Sequence, residues 1–432
     1  MEQNLLWKKI INLLKMEVIP ATGCTEPISL AFAAAQAVKV LGEPVERIEG
    51  YVSANMMKNG MGVIVPGTAT AGLPIAAAVG ALGGDPTGGL QVLKSLSPQI
   101  VAAGQKMVNE KKVTVAVTEV PYVLYSEARV YGSSHWARVC IANAHTNIIR
   151  IEKDGQLLLE NPPLHDSKNA EKKAFLHQLT AQQVYDFATQ VPVESISFMK
   201  EAALLNDALA EAGFSGQYGL HLGSTMRKNK IKGLIGDDLQ NQIIMTTVAA
   251  SDARMGGAPL PAMTNSGSGN QGIMATEPVS VVARYVQADE ETLIRALTLS
   301  HLMAVYIHGY LPKLSALCAV STAAMGAAAG MAWLFDHKFT VVTYALSTMT
   351  GDLIGMVCDG AANSCSMKVA TACGSAFRAV LLALDGVRVT GSEGLVSNKL
   401  DESIHNIGNL ARNGMIEIDK EILQIMLHKN QQ

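Results

Sequence analysis

Leu5, Leu6, Ile10, Leu13 and Leu14 recur at helical spacing, with Lys8, Lys9 and Lys15 largely elsewhere, so residues 4–17 read as a short amphipathic helix that Pro20 ends. After the turn at Ala21-Thr22-Gly23-Cys24, Thr25 or Glu26 can cap a second helix, with Pro27 in its first turn and Gly42 as its stop. The pattern then changes to period two. Arg47–Ser53 reads as a strand, followed by a Gly-rich stretch to Gly67 and an Ala-rich helix around Ile75–Leu82. Val113–Val120, Val123–Tyr131, Trp136–Ala144 and Ile148–Glu152 read as successive strands, and Asp154-Gly155 is a hairpin turn before Gln156–Leu159. Together they predict an antiparallel meander.

Asn161-Pro162-Pro163 and the charged stretch Asp166–Lys173 read as a solvated connector, and helix dominates from Ala181 onward. The helical segments are Val191–Glu211, Ile243–Met255, Glu291–His308, Leu314–Phe335 and Thr371–Leu384. No repeat of 20 to 50 residues is evident. The expected fold class is α+β, a mostly helical catalytic part with an inserted antiparallel sheet-bearing α/β part. Its expected divisions are 1–44 (N-terminal helices of the catalytic part), 45–165 (sheet-bearing) and 166–432 (helical).

The composition, 49% hydrophobic and 16% charged over 432 residues, supports a large core. Net charge is −3 with scattered Lys and Arg, which removes the basic footprint of nucleic-acid binding and points to a small-molecule partner. Leu314–Phe335 carries no charge over 22 residues. It is a single segment rich in Ala, Gly, Ser and Thr, so it reads as a buried helix and no membrane span is expected. Six unevenly spaced cysteines and a start lacking an export pattern favour the cytoplasm over a disulfide framework. A homodimer is the base-rate expectation.

Cys318, Cys358 and Cys365, separated by forty and then seven residues, lie in a weakly charged, Gly-, Ala- and Ser-rich region. Thiolates in such a setting suit a metal or iron–sulfur cluster, and three ligands leave a position open for chemistry. The alternative is three buried thiols acting as small hydrophobes. Cys24 stands just before a helix start, where the dipole is expected to lower a thiol pKa and provide a base or nucleophile. The loop Thr264-Asn265-Ser266-Gly267-Ser268-Gly269-Asn270-Gln271-Gly272 could hold a carboxylate or phosphate, or be a plain polar loop; it lacks the Gly-Lys-Ser/Thr of a nucleotide loop. Asn55, Lys58 and Asn59 end a strand, and Lys58 could serve as a carboxylate counter-ion or sit on the surface. His301 and His308 share a helix face and read more readily as packing than as catalytic groups. Cys140 reads as strand core, and Cys373 as a buried helix residue rather than a fourth ligand.

Ala21-Thr22-Gly23-Cys24-Thr25-Glu26-Pro27, the Asn-Ser-Gly-Ser-Gly-Asn-Gln loop and the three cysteines together resemble the L-cysteine desulfidase family, which is related to the α-chain of iron–sulfur L-serine dehydratases. The likeness runs over essentially the whole chain. It implies a 4Fe-4S cluster on Cys318, Cys358 and Cys365 with one iron free for substrate, no pyridoxal phosphate, and conversion of L-cysteine to pyruvate, ammonia and hydrogen sulfide. Cys24 would then remove the Cα proton, and Asn265, Ser266, Gly267, Ser268, Asn270 and Gln271 would orient the substrate carboxylate, with Lys58 and Asn59 as auxiliaries. The chain departs from the dehydratase pattern in having no cysteine after Cys373 and no separate regulatory domain. L-serine dehydratase activity of the same mechanism and a non-catalytic iron–sulfur or amino-acid sensor remain the alternatives.

Overall fold

The computed structural model describes residues 2–161, 167–312 and 315–429. The first part of the chain runs α1 (Glu2–Glu17), β1 (Pro20–Thr22), α2 (Thr25–Leu41), β2 (Arg47–Val52), α3 (Ala54–Gly60), α4 (Leu73–Gly83), α5 (Pro98–Asn109), β3 (Val113–Val117), β4 (Tyr125–Tyr131), β5 (Trp136–Ala142), β6 (Ile148–Lys153) and β7 (Gln156–Glu160). Helices follow almost without interruption: α6 (Ser167–Gln178), α7 (Ala181–Gln190), α8 (Lys200–Phe214), α9 (Leu222–Ile231) and α10 (Leu239–Met255). After the short β8 (Pro261–Met263) come α11 (Gly269–Tyr285), α12 (Glu290–His308), α13 (Val320–Phe335), α14 (Phe339–Asp352), α15 (Cys365–Leu384), α16 (Leu400–Asn409) and α17 (Ile416–Lys429). The fold is α+β.

The sheet has the order β3-β2-β4-β5-β6-β7; β4 to β7 form the expected antiparallel meander, but β3 lies outside it and makes the sheet mixed. β2 pairs parallel with β3, Ile48 opposite Val113, and antiparallel with β4. Val113–Val120 and Val123–Tyr131 therefore flank β2 instead of pairing with each other. The reason is the length of the connection: parallel neighbours need a long crossover, and α3, α4 and α5 supply it between β2 and β3. Two further expectations change. Pro192 stops α7, so the helix expected from Val191 starts only at Lys200. Most of the expected connector Asp166–Lys173 is the first half of α6, anchored by Lys172 to Glu17 at 2.8 Å, while 162–166 lie outside the described residues.

Two large apolar cores result. One joins α2, α4 and α5 to the sheet through Leu30, Ile48, Ile75 and Val139, and Leu423 and Leu427 of α17 pack against it. The other gathers the later helices around α13, which is buried from Val320 to Leu334, and takes Ile10 and Leu14 of α1 as well. The first 44 residues thus divide between the two cores. Among the described residues, α15 is the one helix long and apolar enough to cross a membrane, and 56% of that apolar stretch is buried inside the protein. The charge-free segment expected as a single helix is shorter, since α13 begins at Val320 and Leu314 lies outside the described residues.

Candidate active site

β1 pairs antiparallel with β8, Thr22 opposite Pro261, which sets the Thr-Gly-Cys turn beside the loop that precedes α11. Gly23 makes that turn possible. Its φ is +77°, and a Cβ there would fall 2.5 Å from Pro66 Cγ. Cys24 is then the N-cap residue of α2, in place of the expected Thr25 or Glu26, and no side chain caps the helix. Thr25 Oγ1 donates to the Gly267 carbonyl at 3.5 Å, while Glu26 accepts from Thr25 at 3.2 Å and from Asn59 Nδ2 at 3.3 Å.

The three other expected cysteines arrive from the helical body. Leu317 bridges Val357 antiparallel, with Cys318 N–H bonded to Met356 O at 2.9 Å and Cys358 N–H to Ala316 O at 2.7 Å. Residues opposite and diagonal across such a bridge share a face, so Cys318 and Cys358 stand as diagonal neighbours. Cys365 is the first residue of α15, and its thiol turns back toward the Gly360 carbonyl at 3.8 Å. Cys24 packs with Val63 and Met255, and Ala361 and Cys365 close this cluster. All four thiols are free of disulfides.

Burial governs their protonation. It pushes the Cys24 thiol up to about 11, with the Arg254 guanidinium pulling the other way and Glu26 and Cys365 adding to the rise. The expected depression by the helix dipole is therefore overturned: desolvation of a fully enclosed sulfur outweighs the favourable charge. Burial also raises Cys318 to about 12, reinforced by its neighbours Cys358 and Cys365 and opposed by Lys368. Cys365 is raised by burial, against the Ala362 N–H, Lys368 and Arg254. Lys368 itself pairs with Asp359 in the loop between the last two cysteines.

Three helix N-termini meet here, those of α2, α11 and α15, and none has a side-chain cap. Ser366 Oγ bonds Ser251 Oγ at 3.3 Å, which donates to Asn270 Oδ1 at 3.3 Å, linking the starts of α15 and α11. The first amides of α15 are taken by the carbonyls of Ala362, Asn363 and Ser364, so there it is the aligned peptide dipoles rather than open N–H groups that favour negative charge. Among the described residues no three His, Cys, Asp or Glu side chains converge closely enough for a single metal ion. A 4Fe-4S cluster instead spreads its ligands over separate irons, and Cys318, Cys358 and Cys365, free thiols that influence one another's protonation with Lys368 nearby, are of the donor type it takes.

The polar residues divide between support and access. Lys58, 2% exposed, donates to Asp419 at 2.5 Å and to the Cys358 carbonyl at 3.3 Å, so it ties α17 to the cysteine loop. Asn265 Nδ2 donates to the His301 carbonyl at 3.0 Å and lies 3.2 Å from its Nδ1, and Ser266 Oγ donates to Asn265 Oδ1 at 2.9 Å. Thr276 Oγ1 gives its proton to Gly272 O, so it accepts from His301 Nε2 at 3.0 Å, which assigns the Nε2–H tautomer. Burial lowers His301 to about 3 and His308 to about 4. Both are neutral packing residues. Gln271 Oε1 and Asn59 Oδ1 are buried without a partner. Cys373 is buried against Met274, its Sγ 3.5 Å from that sulfur, and Cys140 sits in β5 beside Glu127.

Sequence reasoning missed Arg254, Lys368 and Asp419. Arg254 ends an apolar helix, where a cation reads as a dipole partner; nothing in the local pattern shows that it is buried.

A serine dehydratase alpha-chain family model matches residues 89–424. The chain belongs to that family. Family membership places it in the superfamily of dehydratase-related lyases. Three full-length relatives carry no activity in their names. A UPF0597 protein of Chromobacterium violaceum is 58% identical over 98% of both chains. UPF0597 protein YE0448 of Yersinia enterocolitica is 54% identical over 98% of this chain and 97% of its own, and UPF0597 protein YhaM of Salmonella typhimurium is 52% identical over 99% and 98%.

Proposed function

We propose that the protein is an iron–sulfur-dependent L-cysteine desulfidase with a 4Fe-4S cluster on Cys318, Cys358 and Cys365. The observation that carries this reading is the bridge that sets Cys318 and Cys358 on one face, with Cys365 close enough to raise the Cys318 thiol further and packed against Cys24 at the starts of α2 and α15. When bound, the cluster supplies a Lewis-acidic iron that favours departure of the β-substituent. Cys24, once ionised beside Arg254, takes the Cα proton. The electron pair of the broken C–H bond forms the Cα–Cβ double bond as sulfide leaves with its bonding pair, giving aminoacrylate. Its imine tautomer takes up one water to give pyruvate and ammonia. Asn59, Ser268, Asn270 and Gln271 line the substrate position, Asn265, Ser266 and Gly267 shape the loop, and Lys58 holds the Cys358 segment in place.

Protein purified without oxygen should be brown and release sulfide from L-cysteine. A colourless, iron-free preparation that still releases sulfide would refute the cluster mechanism. Alanine at Cys318, Cys358 or Cys365 should lower iron content, whereas Cys24→Ala should keep the iron and lose turnover. Loss of all iron in Cys24→Ala would show the ligand set to be misassigned.

The family match favours a second reading, L-serine dehydratase by the same steps with water leaving. The ratio of kcat/KM for L-cysteine and L-serine decides between them. Amino-acid binding without turnover of either would indicate a sensor.

A further inference from the structure

Arg254 is 7% exposed, and among the described residues no carboxylate pairs with it. Its Nη2 donates to the Gly23 carbonyl at 3.2 Å and its Nη1 to the Met255 sulfur at 3.2 Å, the Cys24 thiol also accepts from this guanidinium, and its Nε has no partner. The other buried cation nearby, Lys58, is paired with Asp419. The closest acid along the helix, Asp252, is occupied elsewhere, accepting from the amides of Gly223 at 2.9 Å and Leu220 at 3.3 Å. A buried guanidinium with open donors is costly unless an anion completes it.

Its position says which anion. A Cβ on Gly269 would fall 2.0 Å from Arg254 Nε, so the guanidinium lies against the first residue of α11. That helix begins at Ser268 with no side-chain cap, which leaves the amides of its first turn free beside the arginine. A planar fork next to free amides matches a carboxylate, which takes two parallel N–H bonds from arginine. Cys24 adjoins the same guanidinium.

We infer that Arg254, with the first turn of α11, binds the α-carboxylate of the amino-acid substrate and so sets its Cα beside Cys24. This deepens the desulfidase reading and rests on it only for the identity of the substrate. It makes the site selective for free α-amino acids: amides, esters and amines lacking the carboxylate leave the guanidinium without its partner.

The test is calorimetric binding of L-alanine and L-alaninamide, which lack a leaving group, to protein prepared without oxygen. Wild type should prefer L-alanine by about ten- to a hundredfold, the range of a charge-assisted bond pair. Arg254→Gln should abolish the preference, and Arg254→Lys, which keeps the charge without the fork, should retain only part of it. Retention of the full preference in Arg254→Gln or Arg254→Lys, or absence of any preference in wild type, overturns the inference. A fall in iron content with the preference intact also overturns it, assigning Arg254 to cluster charge alone. Carboxylate selectivity lost in Arg254→Gln without sulfide release from wild type would sink the desulfidase reading and leave the arginine assignment standing. Sulfide release with unchanged selectivity in the variant does the reverse.

Discussion

Replacing Lys58 by Met removes the charge and the donors but keeps most of the buried stem. Asp419 would lose its partner, and the Cys358 carbonyl its Nζ donor. Breaking a fully buried pair costs about 3–5 kcal/mol. Asp419 keeps 21% of its side-chain surface exposed and can recover water, so a value somewhat below that range, about 2–3 kcal/mol, applies. The lost carbonyl bond adds about 1 kcal/mol. The total of about 3–4 kcal/mol corresponds to a fall in melting midpoint on the order of 5 °C for a chain of this size. Because the lost bonds run between α17 and the segment carrying Cys358, iron retention should fall too. Lys58→Met with Asp419→Leu should recover much of the midpoint, since no charge is then left unpaired. The assay is a thermal melt with iron analysis on protein made without oxygen. A single variant that melts within about 1 °C of wild type and keeps its iron would refute the role assigned to Lys58.

Gly23→Ala places a methyl against Pro66 and forces an alanine to φ +77°, at a cost of about 1–3 kcal/mol. It should lower kcat well beyond the stability loss, because the strain sits next to Cys24; wild-type kcat in the folded variant would count against the turn's role. Acid should destabilise the fold through its histidines. The unfolded chain protonates them below the ordinary value of 6.5, whereas folded His301 stays neutral to about 3 and His308 to about 4. The unfolded state therefore binds more protons throughout that window, and stability falls as pH drops below 6.5. Each contributes about 2 kcal/mol of loss by pH 5. Urea midpoints at pH 7 and pH 5 should differ less in His301→Gln than in wild type; an undiminished difference would remove His301 from the account.

The helices with strong periodicity and clear caps were legible from the chain itself, α2 with its Pro27 and Gly42 above all. The sheet order was not. Strand identity follows from local alternation, but the choice of β2 as partner for both β3 and β4 depends on a crossover of three helices, which no local pattern encodes. The same divide runs through the site. Cysteines announce themselves by residue type, so Cys24, Cys318, Cys358 and Cys365 could be named, yet the protonation of Cys24 came out opposite to the local expectation because its burial is a tertiary property. Lys58 and Arg254 show why charge is harder to read. Lys58 looked available and is engaged, while Arg254, which nothing in the local pattern singled out, keeps a donor without a partner.

The bond from Lys58 to Asp419 also sets an order of events in biosynthesis. The chain leaves the ribosome N-terminal end first, so Lys58 and all four thiols are made before Asp419. Until α17 has emerged and docked on α3, the Cys358 carbonyl has the Lys58 donor but that lysine lacks its counter-charge. The segment carrying Cys358 is therefore loosely held for a short interval late in translation, between its own synthesis and that of Asp419. It tightens only afterward, and for the proposed cluster this would be the interval in which iron and sulfide reach the thiols before α17 docks.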